Sequence, residues 1–220
     1  MKLSNQLWQP FKGILHDVMI GISLGDAHIR TKTMGKSWTL RFNQGLRNSA
    51  YCHHLYDLFS HLCNQPPKNS VDNDMRTGSL VQYHKVTWQT RVTPELHYYG
   101  HLFYTWDALK PRRVGNGIGT WVKGMPVNIV DLISPISLAY LYMDDGHLPK
   151  SGALLCLGGF TNNELEIFRL ALETKWGLVA TIHSQGKIYI WQESLPIFIN
   201  LISPYIIDEM KYKIGGKKVN

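Results

Sequence analysis

Two aspartates, Asp26 and Asp145, lie about half a chain apart, and each closes an apolar run: VMIGISLGDAHI from Val18 to Ile29 and LAYLYMDDGHL from Leu138 to Leu148. Continuous apolar runs without strict alternation, ending on Asp, then Gly or Ala, then His, read as buried helices that finish in charge. Gly21 and Gly25 are four apart, on one helix face. Small residues so placed let a second helix come closer than the usual separation of roughly 8–10 Å. If the helices pack through that face, their acidic ends nearly touch, and carboxylates crowded there repel one another unless divalent cations neutralise them. Hard cations such as Mg²⁺ take oxygen ligands, and two of them about 3.5–4 Å apart can stabilise both oxygens of an in-line displacement at phosphorus.

The elements that must position these acids follow from the pattern around them. After the first run, HIRTKTMGKSWTLRFNQ sets His28, Arg30 and Lys32 against Ile29, turns at Met34-Gly35, and sets Trp38, Leu40 and Phe42 against Thr39 and Arg41: a hairpin with a basic and an apolar face. LVQYHKVTWQTRV reads as a second ribbon, with Lys85, Thr87, Gln89 and Arg91 opposite Val86, Trp88 and Val92. LVATIHSQGKIYIW reads as a third, with Thr181, His183, Lys187 and Tyr189 opposite Ile182, Ile188 and Ile190. Helices are expected over Ala50 to Cys63, with Leu55, Leu58, Phe59 and Leu62 as the stripe, and from the capping box Thr161/Glu164 onward. PELHYYGHLFY and SLPIFINLISPYIIDEM follow the ribbons in their respective halves, so each half reads α-β-β-α-β-β-α. KPRRVGNGIGTWVKGMP (Lys110 to Pro126) reads as a surface connection between them. Its GNGIG, without a strand before and a helix after, is a linker feature and not a phosphate loop.

Composition bounds the partner. The chain has 220 residues, 44% hydrophobic, with 23 Lys+Arg against 16 Asp+Glu, a formal net charge of +7. That excess suggests a polyanion, with nucleic acid ahead of an anionic membrane. No window approaches the roughly 20 apolar residues of a membrane-spanning helix. The opening MKLSNQLWQPFKG has neither the apolar core of a secretory signal nor the character of a transit peptide, so none is expected. Three cysteines, Cys52, Cys63 and Cys156, form no CxxC and fit a reducing compartment. Cys52-His53-His54 with His61 and Cys63 lacks familiar zinc spacing, and His54 and His61 are expected at a helix rim.

MIGISLGDA and LAYLYMDDG resemble the two copies of the motif in single-chain LAGLIDADG homing endonucleases, and the likeness of helix, hairpins, linker, helix and hairpins runs over nearly the whole chain. The first copy departs more: Met19-Ile20 stands for Leu-Ala, and Ala27 for the final Gly. The resemblance implies an α+β fold of two pseudo-symmetric αββαββα halves, residues 1–125 and 126–220, packed through paired motif helices with antiparallel sheets laid on DNA. It implies a monomer that cuts both strands of a long asymmetric double-stranded target with divalent metal, Mg²⁺ first and Mn²⁺ or Ca²⁺ able to occupy the site. Carried over residue by residue, Asp26 and Asp145 become metal ligands, Lys123 and Lys213 basic residues near each scissile phosphate, and Gln44 a residue at the margin of the site. The counterpart of Gln44 is missing, since LCLGGFT puts Gly158 and Gly159 there. Asp144 is expected to turn away and bond locally. His28 and His147, two residues past each aspartate, are expected to meet phosphate or base, since Mg²⁺ seldom takes nitrogen.

The ribbon faces supply the DNA contacts: Arg30, Lys32, Arg41, Lys85, Gln89 and Arg91 in the first half, and His183, Lys187 and Tyr189 in the second. The alternative on the same scaffold is an RNA-binding intron maturase, and a DNA-binding repressor is a further rival. The family's frequent residence in organellar introns implies an organelle, mitochondrion or chloroplast.

Overall fold

The computed structural model describes residues 8–75, 79–111 and 117–216. Residues 1–7, part of the stretch judged for signal character, and 112–116, inside the expected linker, lie outside that description. The two apolar runs are helices, α1 (Ile14–Leu24) and α5 (Pro135–Asp145). They start differently. α5 opens on Ser134, whose side chain accepts from the Ser137 amide in a reciprocal capping box, with Pro135 at the first helical position. α1 follows Gly13 at φ 61 with no side-chain cap. Val18 to Leu24 and Ser137 to Met143 are buried on every side, as expected of helices that form the centre of a protein.

The two helices pack against each other where glycine permits it. A Cβ on Gly21 would lie 2.4 Å from the Ser137 carbonyl oxygen and 2.9 Å from the Tyr140 Cβ. No larger residue fits without separating the pair.

On each side of that seam lies a four-stranded antiparallel sheet. β1 (His28–Arg30), β2 (Thr39–Gly45), β3 (Lys68–Asp74) and β4 (Val81–Gln89) are arranged β1-β2-β4-β3. β7 (Gly146–His147), β8 (Ala153–Cys156), β9 (Ala180–His183) and β10 (Lys187–Ile190) are arranged β7-β8-β10-β9, the same order of first, second, fourth and third. α2 (Ser49–Phe59) lies on β2 and β4, and α6 (Asn162–Trp176) on β9. α3 (Pro94–Phe103) lies against β1, and α7 (Leu195–Ile202) against α5. The Thr161/Glu164 capping box starts α6 as expected. Phe42, Tyr51, Phe59, Phe168, Ile188 and Phe198 fill the spaces between. Burying each such side chain contributes about 1.5–3 kcal/mol.

Four expectations need correcting. LVQYHKVTWQTRV is not a ribbon but the single strand β4, flanked by β2 and by the unforeseen β3. β3 (KNSVDND) is exposed on both faces, so it carries no apolar alternation to betray it. Arg91 and Val92 fall beyond β4, and Val92 is exposed because nothing packs over it there. Lys32 likewise lies past β1, in the bend leading to Met34 (φ 54) and Gly35 (φ 84). The expected linker is largely a hairpin of its own: β5 (Tyr104–Pro111) pairs with β6 (Ile118–Lys123). Tryptophans hold it in place, since Trp121 stands edge-on to Trp38 at 5.0 Å and to Trp106 at 5.8 Å. Among the described residues, no helix is long and apolar enough to cross a membrane.

Candidate active site

The ends of α1 and α5 bring Asp26, Asp144 and Asp145 to one place. α1 stops at Leu24, so Asp26 stands two residues beyond the helix, whereas Asp145 is the last residue of α5. Asp26 is the most exposed of the three. Burial and the Asp26 charge push the Asp145 carboxyl up to about 7. Burial also raises Asp26, against the opposing pull of its Gln44 hydrogen bond and of the Lys213 and Lys123 charges. Both acids thus resist ionising, Asp26 through burial and Asp145 through burial and the neighbouring Asp26 charge.

Lys123 and Lys213 stand at equivalent places. Lys123 Nζ donates to the carbonyls of Gly25 (2.8 Å) and Leu24 (3.3 Å) at the end of α1. Lys213 Nζ donates to those of Met143 (2.6 Å), Asp144 (2.9 Å) and Tyr142 (3.4 Å) at the end of α5. Each ammonium meets the negative pole of its helix. Burial lowers both lysines, while the three aspartates pull them back up. Lys123 closes β6, and Lys213 lies in the 3₁₀ segment Asp208–Ile214.

Gln44, near the end of β2, donates from Nε2 to Asp26 Oδ2 at 2.5 Å. Behind it, Asn48 Nδ2 donates to Gln44 Oε1 (3.4 Å) and Tyr212 Oη to Asn48 Oδ1 (3.3 Å). A polar chain therefore runs from the segment bearing Lys213 to Asp26. The counterpart of Gln44 can be placed by register. His28 pairs with Arg41 and His147 with Leu154, so the position three residues on from Leu154 is Leu157, which is 2% exposed. The half-site has no amide there, as expected, but the substitute is a core leucine and not the glycines that follow.

Asp144 departs from its expected local role. Its Oδ2 accepts the Asp26 backbone N–H at 3.0 Å, across the seam and not within its own helix. His28 begins β1, His147 is the second and last residue of β7, and both are exposed. His54 is at the rim of α2, as expected, with Nε2 2.7 Å from the Tyr140 hydroxyl.

The sheet faces separate the remaining candidates. Arg30, Arg41, Gln89 and Arg91 line one open concavity together with Asn64 and Lys68, which sequence reasoning did not select. Arg30 donates to Gln89 Oε1 (2.5 Å) and Arg41 Nε to Thr87 Oγ1 (3.4 Å). Burial, then the charge of Arg41, lowers Arg30. No carboxylate is among the residues lining the cup. Lys85 is not in it: it is ion-paired with Asp72 on β3, which cancels much of its charge toward a ligand. Thr87, though largely buried, is also part of the cup's lining and holds Arg41 there. In the other sheet, His183 stacks on Tyr189 at 5.1 Å, and the Tyr189 hydroxyl donates to the Ser151 carbonyl at 3.0 Å. Lys187 donates to Gln185 Oε1 at 3.3 Å. Lys32 stands apart on the exposed bend.

Asp144 was given a local role in place of one across the seam, and Asn48, Asn64 and Lys68 were not selected, for different reasons. Asp144 and Asn48 act through partners distant in sequence, and Asn64 and Lys68 flank Pro66-Pro67, a pair that reads as a break in structure.

A sequence model of the LAGLIDADG DNA endonuclease family matches residues 16–198. DNA endonuclease I-ChuI of Chlamydomonas applanata is 29% identical over 213 residues, covering 90% of this chain and 93% of that protein. Cytochrome b mRNA maturase bI2 of Saccharomyces cerevisiae is 28% identical, covering 90% of this chain but 47% of that protein. Probable intron-encoded endonuclease 1 of Wickerhamomyces canadensis is 28% identical, covering 94% and 86%. A solved structure of the homing endonuclease I-WcaI bound to its DNA recognition sequence aligns with a TM-score of 0.77 at 26% identity, over 97% of this chain and 94% of that one. With two motif helices meeting at a shared acidic end between two sheets of identical strand order, the chain belongs to the LAGLIDADG DNA endonuclease family.

Proposed function

We propose that the chain is a monomeric, site-specific endonuclease that cuts both strands of a long, asymmetric DNA duplex with the help of divalent metal. The observation that carries this reading is the single cluster of Asp26, Asp145, Lys123 and Lys213 at the joined ends of α1 and α5. Among the described residues, no three or more His, Cys, Asp or Glu converge as a self-sufficient metal cage. Two partly buried carboxylates with raised pKa suit Mg²⁺, whose charge would favour their ionised form and which binds one or two protein carboxylates and takes its other oxygens from water and substrate phosphate. Asp26 and Asp145 would hold it. Bound there, the metal supplies charge stabilisation at the phosphate oxygens and lowers the pKa of water.

The chain's own residues do the rest. Gln44 fixes the rotamer of the Asp26 carboxylate, and Lys123 and Lys213 hold positive charge at the helix ends, where negative charge accumulates as water adds to phosphorus and the ester P–O bond breaks. Arg30, Arg41, Gln89 and Arg91 grip one arm of the duplex, and His183, Lys187 and Tyr189 the other, with Lys32, His28 and His147 toward the phosphates and Lys85, tied to Asp72, contributing least. The arms share a plan but not their residues, which gives an asymmetric target. The division into residues 1–125 and 126–220 belongs to the same reading, as does an organellar setting, which the names of the maturase and intron-encoded relatives support.

The test is sequencing of cleavage products from a randomised duplex library with Mg²⁺ present. Discrete double-strand cuts, abolished in Asp26→Asn and Asp145→Asn with DNA binding retained, support the reading; cutting that survives both changes sinks it. Two relatives named as maturases keep an RNA-binding role as the second reading. No cutting, together with tight binding of intron RNA, would favour it.

A further inference from the structure

Each motif helix ends in a pair of residues, Gly25-Asp26 and Asp144-Asp145, and the first member of each pair differs. The difference is complementary in shape. A Cβ on Gly25 would lie 2.4 Å from Asp144 Oδ2 and 2.6 Å from Asp144 Cβ, so the Asp144 side chain occupies the space that glycine leaves open. From there Oδ2 accepts the backbone N–H of Asp26 at 3.0 Å. That amide stands in the loosest part of the site. α1 has ended at Leu24, the Gly25 and Ala27 amides close back onto the Gly21 (3.2 Å) and Ile22 (2.9 Å) carbonyls, and the Asp26 amide takes its partner from the opposite helix. The Asp145 amide needs no such help, because Asp145 is still inside α5.

The remaining oxygen of Asp144 points to the same role. Oδ1 is sealed from solvent, and the hydroxyl within its reach is the Tyr51 phenol, which is buried beside the Asp144 carboxyl. A carboxylate used as a metal ligand needs at least one oxygen open to the cation and its water. Asp144 has neither oxygen open: Oδ2 accepts a peptide N–H and Oδ1 is buried against Tyr51.

We infer that Asp144 is a positioning residue, which enters the space above Gly25 and holds the turn that aims the Asp26 carboxylate. The inference rests on the proposed role of Asp26 but goes beyond it, since it makes the acid of one half depend on a side chain of the other. Gln44 orients the Asp26 carboxylate by its side chain, and Asp144 orients it by its backbone.

The experiment compares Asp144→Ala, Asp144→Asn, Gly25→Ala and the double variant Gly25→Ala/Asp144→Ala, with Asp26→Asn as reference. Exchange of the Asp26 backbone amide, read by NMR on the metal-free protein, should quicken in Asp144→Ala and stay slow in Asp144→Asn, which keeps an acceptor. With saturating DNA and Mg²⁺, Asp144→Ala should lose about tenfold in kcat with unchanged DNA affinity, and Asp144→Asn should recover most of it. Gly25→Ala, whose methyl displaces Asp144, should show the same kcat loss, and the double variant no more than either single change. The inference is overturned if Asp144→Ala leaves amide exchange and kcat as they were, if Asp144→Asn is as impaired as Asp144→Ala, or if the Gly25 and Asp144 effects add. Activity that survives in Asp26→Asn would instead overturn the role of Asp26 itself, and the amide-exchange result would still decide the contact.

Discussion

The two half-sites share an acid, a lysine on the helix-end carbonyls, a histidine two residues past the acid in the next strand and a sheet of the same strand order, yet they differ in how firmly the acid is held. Asp145 sits inside its helix, and the register counterpart of Gln44 in its half is the buried Leu157. Asp26 stands outside its helix and depends on Gln44, Asp144 and, through Asn48, Tyr212. Helix continuity on one side is thus replaced by hydrogen bonds on the other. A symmetric plan does not require symmetric support.

The largest effects should come from removing what the halves have in common. Asp26→Asn and Asp145→Asn should each lower double-strand cleavage by roughly 10³-fold or more while gel-shift affinity for target DNA is kept. Next are the lysines: Lys123→Met and Lys213→Met should each cost about 10²-fold, and a large inequality between them would show that the half-sites differ in chemistry as well as in support. Gln44→Leu gives the first half the apolar character of the second. It should cost about tenfold and slow one strand more than the other, seen as nicked plasmid in a time course. Equal slowing of both strands would mean that Gln44 serves the pair and not Asp26 alone.

Two smaller effects concern stability. With cation removed by EDTA, the folded chain holds a proton on Asp145 up to about 7, whereas the unfolded chain releases it near its ordinary value of about 4. In that window the folded state binds more protons, so stability falls as pH rises; Tm should drop between about pH 5 and about pH 7, and Asp145→Asn should flatten the profile. Added Mg²⁺ at about pH 8 should restore stability by binding the ionised pair. Gly21→Ala, which drives a methyl into the Ser137 carbonyl, should cost about 1–3 kcal/mol and lower Tm by several degrees.

Much of this was legible in the sequence because the seam helices are buried all round and end in a recurring acid, a pattern that needs no partner to be recognised. Gln44 and both lysines could be reached only through family resemblance, since nothing local distinguishes Lys213 from Lys211. β3 escaped because neither of its faces is covered, and the β5–β6 hairpin because its Gly, Pro and Arg content imitates a loop while its tryptophans pack on residues far back in the chain. Asp144 was misplaced for a related reason: a residue that fills space left by a distant glycine has no signature in its own neighbourhood.

The Gly25–Asp144 fit also limits what can be assembled from the parts. Two copies of the first half, brought together about a two-fold axis, would set glycine against glycine and leave a void where a side chain belongs. Two copies of the second would drive a pair of aspartates into the same space. Neither arrangement reproduces the contact that holds the Asp26 amide, and a library that shuffles halves among related nucleases keeps that contact only where this glycine and this aspartate travel together.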